Sequence, residues 1–131
     1  MKPKYRAWNK QTESFIDYGD LVLDLQSSKV YAGDMGLMDT IIDVTDQIIL
    51  MQSTGLKDKN GVEIFEGDIV KAEITLGHTD TGVVKFERGE FKVDDKAEDI
   101  LSFGFYYQYE VIGNIWENPE LLEEKNEQNR N

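Results

Sequence analysis

The sequence predicts a mainly β chain, a β-rich α+β protein of small antiparallel sheets finished by a short C-terminal helix. Three observations predict it. Apolar and polar side chains alternate between residues 69 and 93: Val70, Ala72 and Ile74 fall on one face, Lys71 and Glu73 on the other, and Val84 and Phe86 alternate with Lys85 and Glu87. A period of two is the pattern of an antiparallel strand with one wet face. Elsewhere the apolar runs are short, rich in β-branched residues and punctuated by turn residues, as strands are. The helix start comes late, at Asn118-Pro119-Glu120: an N-cap residue, proline at the first helical position, then an acid that suits the helix dipole.

The elements follow in order. Lys4 to Trp8 is a strand that breaks at Asn9-Lys10-Gln11-Thr12 and forms a hairpin with Ser14 to Tyr18. Leu21 to Leu25 is the next strand, and Val30-Tyr31 follows a Gln26-Ser27-Ser28-Lys29 turn. Ala32 to Gly36 holds two glycines and an aspartate and is expected to be a loop. Thr40 to Val44 and Gln47 to Met51 read as strands, although periodicity leaves a helix open for the second. Asn60-Gly61 is a two-residue hairpin signal, because both positions tolerate φ > 0. Glu63-Ile64-Phe65 leads through Glu66-Gly67-Asp68 into the strand that opens at Ile69. Gly77 to Gly82 is expected to be a polar loop, and Arg88-Gly89-Glu90 turns the chain into Phe91-Lys92-Val93. Asp94 to Asp99 is a charged break, and a last strand pair is expected within Tyr106 to Trp116, with a turn or bulge at Gly113-Asn114. Leu121 and Leu122 anchor the closing helix, beyond which a polar, frayed tail is expected.

Short strands, the Glu66 to Val70 run, a long loop and a tight hairpin together resemble an SH3-like barrel. The expected organisation is a β-rich lobe over 1–55, an SH3-like barrel lobe over 56–118 and a helix with its tail over 119–131, or one compact unit of all three. A length of 131 residues suffices for a real core, burying roughly two thirds of the extended chain's surface.

Charge narrows the function classes. The chain has 26 acidic and 14 basic residues, a net charge of −12. A field of that sign repels phosphate backbones and anionic headgroups within about 10 Å. Lys2, Lys4 and Arg6, or Lys57 and Lys59, are too small a basic patch to reverse it, so binding to duplex nucleic acid is not expected. The acidity serves solubility, offers a surface to a basic partner, or mimics nucleic acid. Absence of cysteine excludes disulfide and thiolate chemistry. No signal-peptide core opens the chain, and no apolar run approaches the roughly 20 residues that span a bilayer. A cytoplasmic protein is expected.

Two segments are distinctive: LMQSTGLKDKNGVEIFEGDIV from Leu50 to Val70, and VIGNIWENP from Val111 to Pro119. With Arg6-Ala7-Trp8 before them in the expected order, the chain resembles the YopX family of bacteriophage and prophage proteins over residues 4 to about 122. Ser53 departs from the pattern, since relatives more often carry an aromatic residue there, which bears on local packing. The resemblance implies a phage or prophage origin and action in the cytoplasm of the host bacterium. It implies no activity and supplies no catalytic residues.

Each tempting chemistry meets a simpler alternative. Asp58-Lys59-Asn60-Gly61 fails as an EF-hand, because glycine arrives at position 4, Val62 occupies position 5 and Ile69 position 12. A β-turn explains it. Asp94, Asp95, Glu98 and Asp99 could gather a hard cation, but adjacent acids are more commonly a solvated loop. His78 is the only histidine and sits in polar surroundings, without the partners a general base needs. The glycines are scattered over turns, and no phosphate-binding fingerprint is present. The aromatic strip is the best site candidate. Phe103, Phe105, Tyr107 and Tyr109 share one strand face and Tyr106 the other, with Trp116 beyond. Core packing accounts for one face. The other could stack single-stranded nucleic acid or anchor a protein, and the lack of nearby Lys or Arg favours protein; the candidate binding residues of the strip are Tyr106, Tyr107, Tyr109 and Trp116.

These readings converge on a non-enzymatic protein–protein interaction module binding a host or phage protein, with self-association through sheet edges as a further expectation. No catalytic residues, metal ligands or cofactors are expected. The alternative is a small nucleic-acid-binding module in phage DNA metabolism or regulation; a third class is a metal-dependent enzyme using the clustered acids.

Overall fold

The computed structural model describes residues 4–16, 20–34, 36–75, 78–94, 101–102, 106 and 108–122. They are mostly strand, in small antiparallel sheets, with one short helix near the C-terminus, so the predicted fold class holds. Contacts divide the chain into two compact units, Arg6–Leu50 and Met1–Tyr5 with Met51–Asn131.

In the N-terminal unit, β1 (Tyr5–Asn9) and β2 (Ser14–Phe15) form the expected hairpin, with Trp8 opposite Phe15. Its turn is held by the Asn9 side chain, whose Oδ1 accepts the N–H groups of Gln11 and Thr12 at 2.9 and 3.3 Å. The rings of Trp8 and Phe15 meet edge to face at 5.0 Å, and the Arg6 guanidinium lies 4.9 Å from the Phe15 centroid.

Three further strands, β3 (Asp20–Leu23), β4 (Val30–Asp34) and β5 (Leu37–Asp43), form an antiparallel meander in the order β3-β4-β5. Leu25, expected in a strand, stands in the β3–β4 turn and is 86% exposed. The reason is Asp24, whose carboxylate collects the N–H groups of Gln26 and Ser27 and ends the strand early. The expected loop over 32–36 is instead strand through Asp34, with Ala32 opposite Ile42 and Asp34 opposite Leu37 across an irregular register. Pairing wins because Gly33 lets the partner backbone in: a β-carbon there would lie 2.8 Å from the Thr40 carbonyl oxygen and the Ile41 Cα. Ala7, Val30, Val44 and Ile48 are the buried core of this unit.

The strand β6 (Ile48–Lys57) settles the helix-or-strand ambiguity at Gln47–Met51, and it is longer than expected. In the C-terminal unit, β6 pairs with β7 (Glu63–Phe65), joined by the turn at Gly61, whose φ is 82°. Glycine alone takes the left-handed conformation here; Asn60 does not. A five-stranded antiparallel sheet follows, curled into a half-barrel: β8 (Asp68–Thr75), β9 (His78–Glu87), β10 (Glu90–Asp94), β11 (Leu101–Ser102) and β12 (Gln108–Asn114), in the order β11-β10-β9-β8-β12. The expected loop at 77–82 is strand from His78 onward, since Thr79 and Thr81 pair with Glu73 and Lys71 across the β8–β9 hairpin. Where a strand pair was expected within 106–116, the described residues form one strand, β12, whose partner is β8; its irregularity falls between Val111 and Gly113, just ahead of the expected Gly113-Asn114.

Alternation works as predicted. Val70, Ala72, Val84 and Val93 are buried together with Ile64, while Lys71 is exposed. Two places depart from it: Phe86, expected on the apolar face, is 42% exposed, and Ile69 and Val83, opposite each other on the other face, are buried, so that face is covered locally. Arg88 (φ 52°) and Gly89 (φ 80°) make the tight β9–β10 turn, both central residues being left-handed. The helix opens at Glu120. The Asn118 backbone carbonyl accepts its first N–H, from Leu121 at 3.1 Å, but the Asn118 side chain turns back to accept the Asn114 N–H at 3.2 Å.

Candidate binding groove

A concavity of about 290 Å³ opens in the N-terminal unit. Ile16, Ala32 and Val44 form an apolar floor continuous with the unit's core, and Ile42 stands over it. Asn9, Asp34, Thr40 and Gln47 supply the polar rim. That rim is held by local hydrogen bonds: Asp34 Oδ1 accepts the Gly36 N–H at 2.8 Å, and the Thr40 hydroxyl donates to the Leu37 carbonyl at 2.7 Å while accepting the Asp34 N–H at 3.0 Å. Ile42 is 58% exposed and Leu37 57%, so β5 carries two large aliphatic side chains in water. The acids Asp34, Asp39 and Asp43 are exposed on or beside the same strand. The Thr45 hydroxyl, and then its backbone N–H, hold the Asp43 carboxyl below the usual carboxylate range.

The C-terminal unit has a second concavity, polar in character, lined by Lys59, Lys71, Glu73, Gln108 and Glu110 among others. Gln108 donates to Glu73 at 3.0 Å and Lys59 approaches Glu110 at 3.9 Å. Opposite charges face each other there, and nothing converges on a reacting atom.

Asp58 is the most constrained acid. It is buried, its Oδ1 accepts the N–H groups of Asn60 and Val62 at 2.8 and 2.9 Å, and its Oδ2 accepts the Val111 N–H at 2.9 Å. Beside it, the Lys59 N–H donates to the Tyr109 carbonyl at 2.9 Å. Burial pushes the Asp58 carboxyl up, but the Val111, Val62 and Asn60 donors together outweigh it, and the net displacement is downward. This carboxylate, rejected above as a calcium ligand, closes its own turn and covers the outer edge of β12.

The distinctive segments are scaffolding of the same kind. Thr54 donates to the Ile64 carbonyl, Glu66 accepts the Gln52 N–H and Asp68 accepts the Phe65 N–H. Asn114 accepts from Trp116 and Glu117 backbone and donates to the Glu117 carboxylate. Gly113 leaves room for Asn118, whose Oδ1 would lie 2.6 Å from a β-carbon at 113. At the atypical position, Ser53 is buried, with its hydroxyl donating to Glu63 at 2.6 Å; Glu63 in turn holds Lys4 at 2.9 Å. Most of these polar side chains satisfy backbone, which explains a strong motif without chemistry.

Of the four predicted binding residues, Tyr106 and Tyr109 belong to the buried core of the C-terminal unit, their rings 5.7 Å apart. Burial first, and then Tyr106, raises the Tyr109 phenol well above its ordinary value. Packing, the simpler alternative, accounts for both. Trp116 is half-buried in a turn, donating its indole N–H to Met51 Sδ at 3.1 Å. Tyr107, Phe103 and Phe105 lie outside the described residues, as do 95–99 of the acidic break. Asp94 lies in β10 and pairs with Lys85 at 2.6 Å. His78 is exposed on β9. Among the described residues no group of three His, Asp or Glu side chains could hold a metal, and no helix is long and apolar enough to cross a membrane.

Sequence reasoning missed the groove. Its one signal was Asp39-Thr40-Ile41-Ile42-Asp43, a β-branched run bracketed by acids, which also describes any buried strand. No local signal announced the reach of Asp58 to Val111, 53 residues away.

Fold and motifs together define a family: residues 4–123 match the one described as YopX protein, and the chain belongs to it. Among its relatives is the SPbeta prophage-derived uncharacterized protein YopX of Bacillus subtilis (strain 168), 29% identical over 134 residues that cover 94% of this chain and 98% of the relative. Two solved structures are similar throughout. Protein EF1440 from Enterococcus faecalis shares 31% identity with a TM-score of 0.63, covering 93% of this chain and 99% of that one. Protein YopX from Bacillus subtilis shares 26% with a TM-score of 0.59, covering 89% and 95%.

Proposed function

We propose that this chain is a prophage-encoded accessory protein of the host cytoplasm that works without catalysis, as a docking module for another protein. The single observation that carries this reading is the pair of exposed aliphatic side chains, Leu37 and Ile42, on a strand bordering an apolar groove whose polar rim includes Asp34. Water-exposed apolar surface next to a concavity is the usual mark of an interaction site. The C-terminal half-barrel is SH3-like in this reading. Its acids and its motif residues serve turns and strand edges, and none lies in a catalytic arrangement among the described residues. The prophage setting rests on the relative from the SPbeta prophage, and the cytoplasmic one on a chain without cysteine.

The test compares affinity capture from the bacterial host by the wild-type chain and by Ile42→Glu, with circular dichroism to establish that both are folded. The expected result is a partner retained by the wild type and lost by Ile42→Glu. Identical captured sets would contradict the reading, as would turnover of a metabolite by the purified chain.

A further inference from the structure

We infer that the groove receives an extended peptide segment of alternating apolar and Lys/Arg residues, which adds to β5 as a fourth strand of the β3-β4-β5 sheet. This deepens the docking reading above and rests on it. β5 is the last strand in its sheet order and, at 7 residues, is long enough to template a partner strand. Main-chain bonds along an open edge give affinity and alternate side chains give specificity in this mode.

The register says where those side chains would go. Ala32 pairs with Ile42, so these two share one face, and Thr40, two residues before Ile42 on β5, lines the same groove. An added strand would set every second side chain on that face, beside Ile42 and over the floor of Ile16 and Val44. A volume of about 290 Å³ lies at the small end of ligand clefts, enough for a few aliphatic side chains and too little for a packed helix.

Charge decides the rest of the segment. Residues 6–50 hold eight acids and three bases, and no base lies on β5 or in the groove lining. Asp39 and Asp43 lie exposed on β5 itself, and Asp34 is exposed at the end of the neighbouring β4. A partner strand with Lys or Arg at alternate positions meets these carboxylates within a Debye length, roughly 8 Å at physiological salt; an acidic strand or a phosphate backbone would be repelled.

The experiment titrates fluorescent synthetic peptides into the full chain and reads anisotropy. The first peptide alternates valine and lysine; the second has glutamate for lysine; the third carries a proline at a central position whose N–H would face β5. The protein variants are Ile42→Thr and, as a control for exposed apolar surface in the other unit, Phe86→Thr. The valine–lysine peptide is expected to bind the wild type and Phe86→Thr alike, and to lose about tenfold on Ile42→Thr. The proline peptide is expected to bind at least about fivefold more weakly, and the glutamate peptide not to bind. Equal binding of the proline peptide would overturn strand addition while leaving the docking reading intact. Binding indifferent to Ile42→Thr would reduce the effect to charge attraction and overturn the inference. Absence of binding by all three would overturn it too, and the capture experiment then decides the docking reading separately.

Discussion

At the outer edge of β12, in the C-terminal unit, the Lys59 N–H donates to the Tyr109 carbonyl and the Asp58 carboxylate takes the Val111 N–H. At β5, in the N-terminal unit, the last strand of the sheet carries Leu37 and Ile42 more than half exposed and is flanked by acids instead of being covered by a turn. A bare edge invites pairing with any passing strand, and proteins usually cover or charge it. Here one edge is sealed with a buried carboxylate, which costs desolvation. The other carries exposed Asp39 and Asp43 among the described residues, and charge rejects strands by sign. The difference teaches that the β12 edge is closed by its own chain, while β5, under the docking proposal, is the edge that discriminates.

The comparison can be broken hardest at Asp58. Asp58→Ala leaves the N–H groups of Asn60, Val62 and Val111 without their acceptor; Asn60 and Val62 are exposed and can turn to water, so the expected cost is about 2–3 kcal/mol. It should also free the β12 edge. Urea denaturation reads the first effect, and light scattering reads the second as self-association absent from the wild type.

Gly33→Ala attacks the N-terminal unit instead. Its β-carbon would press on the Thr40 carbonyl oxygen and Ile41 Cα at 2.8 Å, and a loss of about 2 kcal/mol is expected as β4 and β5 are pushed apart. The same denaturation experiment checks it. No self-association should accompany this change.

Acid titrates the seal. The Asp58 carboxyl in the folded chain lies below its ordinary value, and Glu63 is likewise lowered, by the Ser53 hydroxyl first and then Lys4. A folded value below the unfolded one means stability that is fully present above the unfolded value, near pH 4, and lost as the pH falls through the folded value. The denaturation midpoint is therefore expected to hold steady from neutral pH to about pH 5 and to fall below that, less steeply in Asp58→Ala.

The smallest effect on stability belongs to the edge assigned to docking. Ile42→Thr exchanges an exposed β-branched residue for another, and should leave the midpoint within about 0.5 kcal/mol of the wild type. A large loss would mean that Ile42 is structural and not held ready for a partner.

How much of this the sequence disclosed depends on how local the cause was. The β8–β9–β10 meander was legible because alternation is written residue by residue, and the Arg88-Gly89 turn because two adjacent positions specify it. Strand ends were missed where a side chain competes with the ladder, as Asp24 does at Leu25, or where a distant strand supplies pairing, as β5 does for Ala32 to Asp34. The aromatic strip drew attention because tyrosine serves cores and interfaces alike; burial of Tyr106 and Tyr109 is decided by what packs on them, which no local pattern records. The groove escaped for the same reason, since its floor joins Ile16, Ala32 and Val44 from separate segments.

Amide hydrogen exchange, with and without the valine–lysine peptide, tests the contrast between the two edges most directly. In the free chain the Val111 amide should be strongly protected and the outward amides of β5 weakly so, and the peptide should slow exchange in β5 while leaving β12 unchanged. Protection that appears in β12, or a β5 already as protected as Val111 before any peptide is added, would contradict the account.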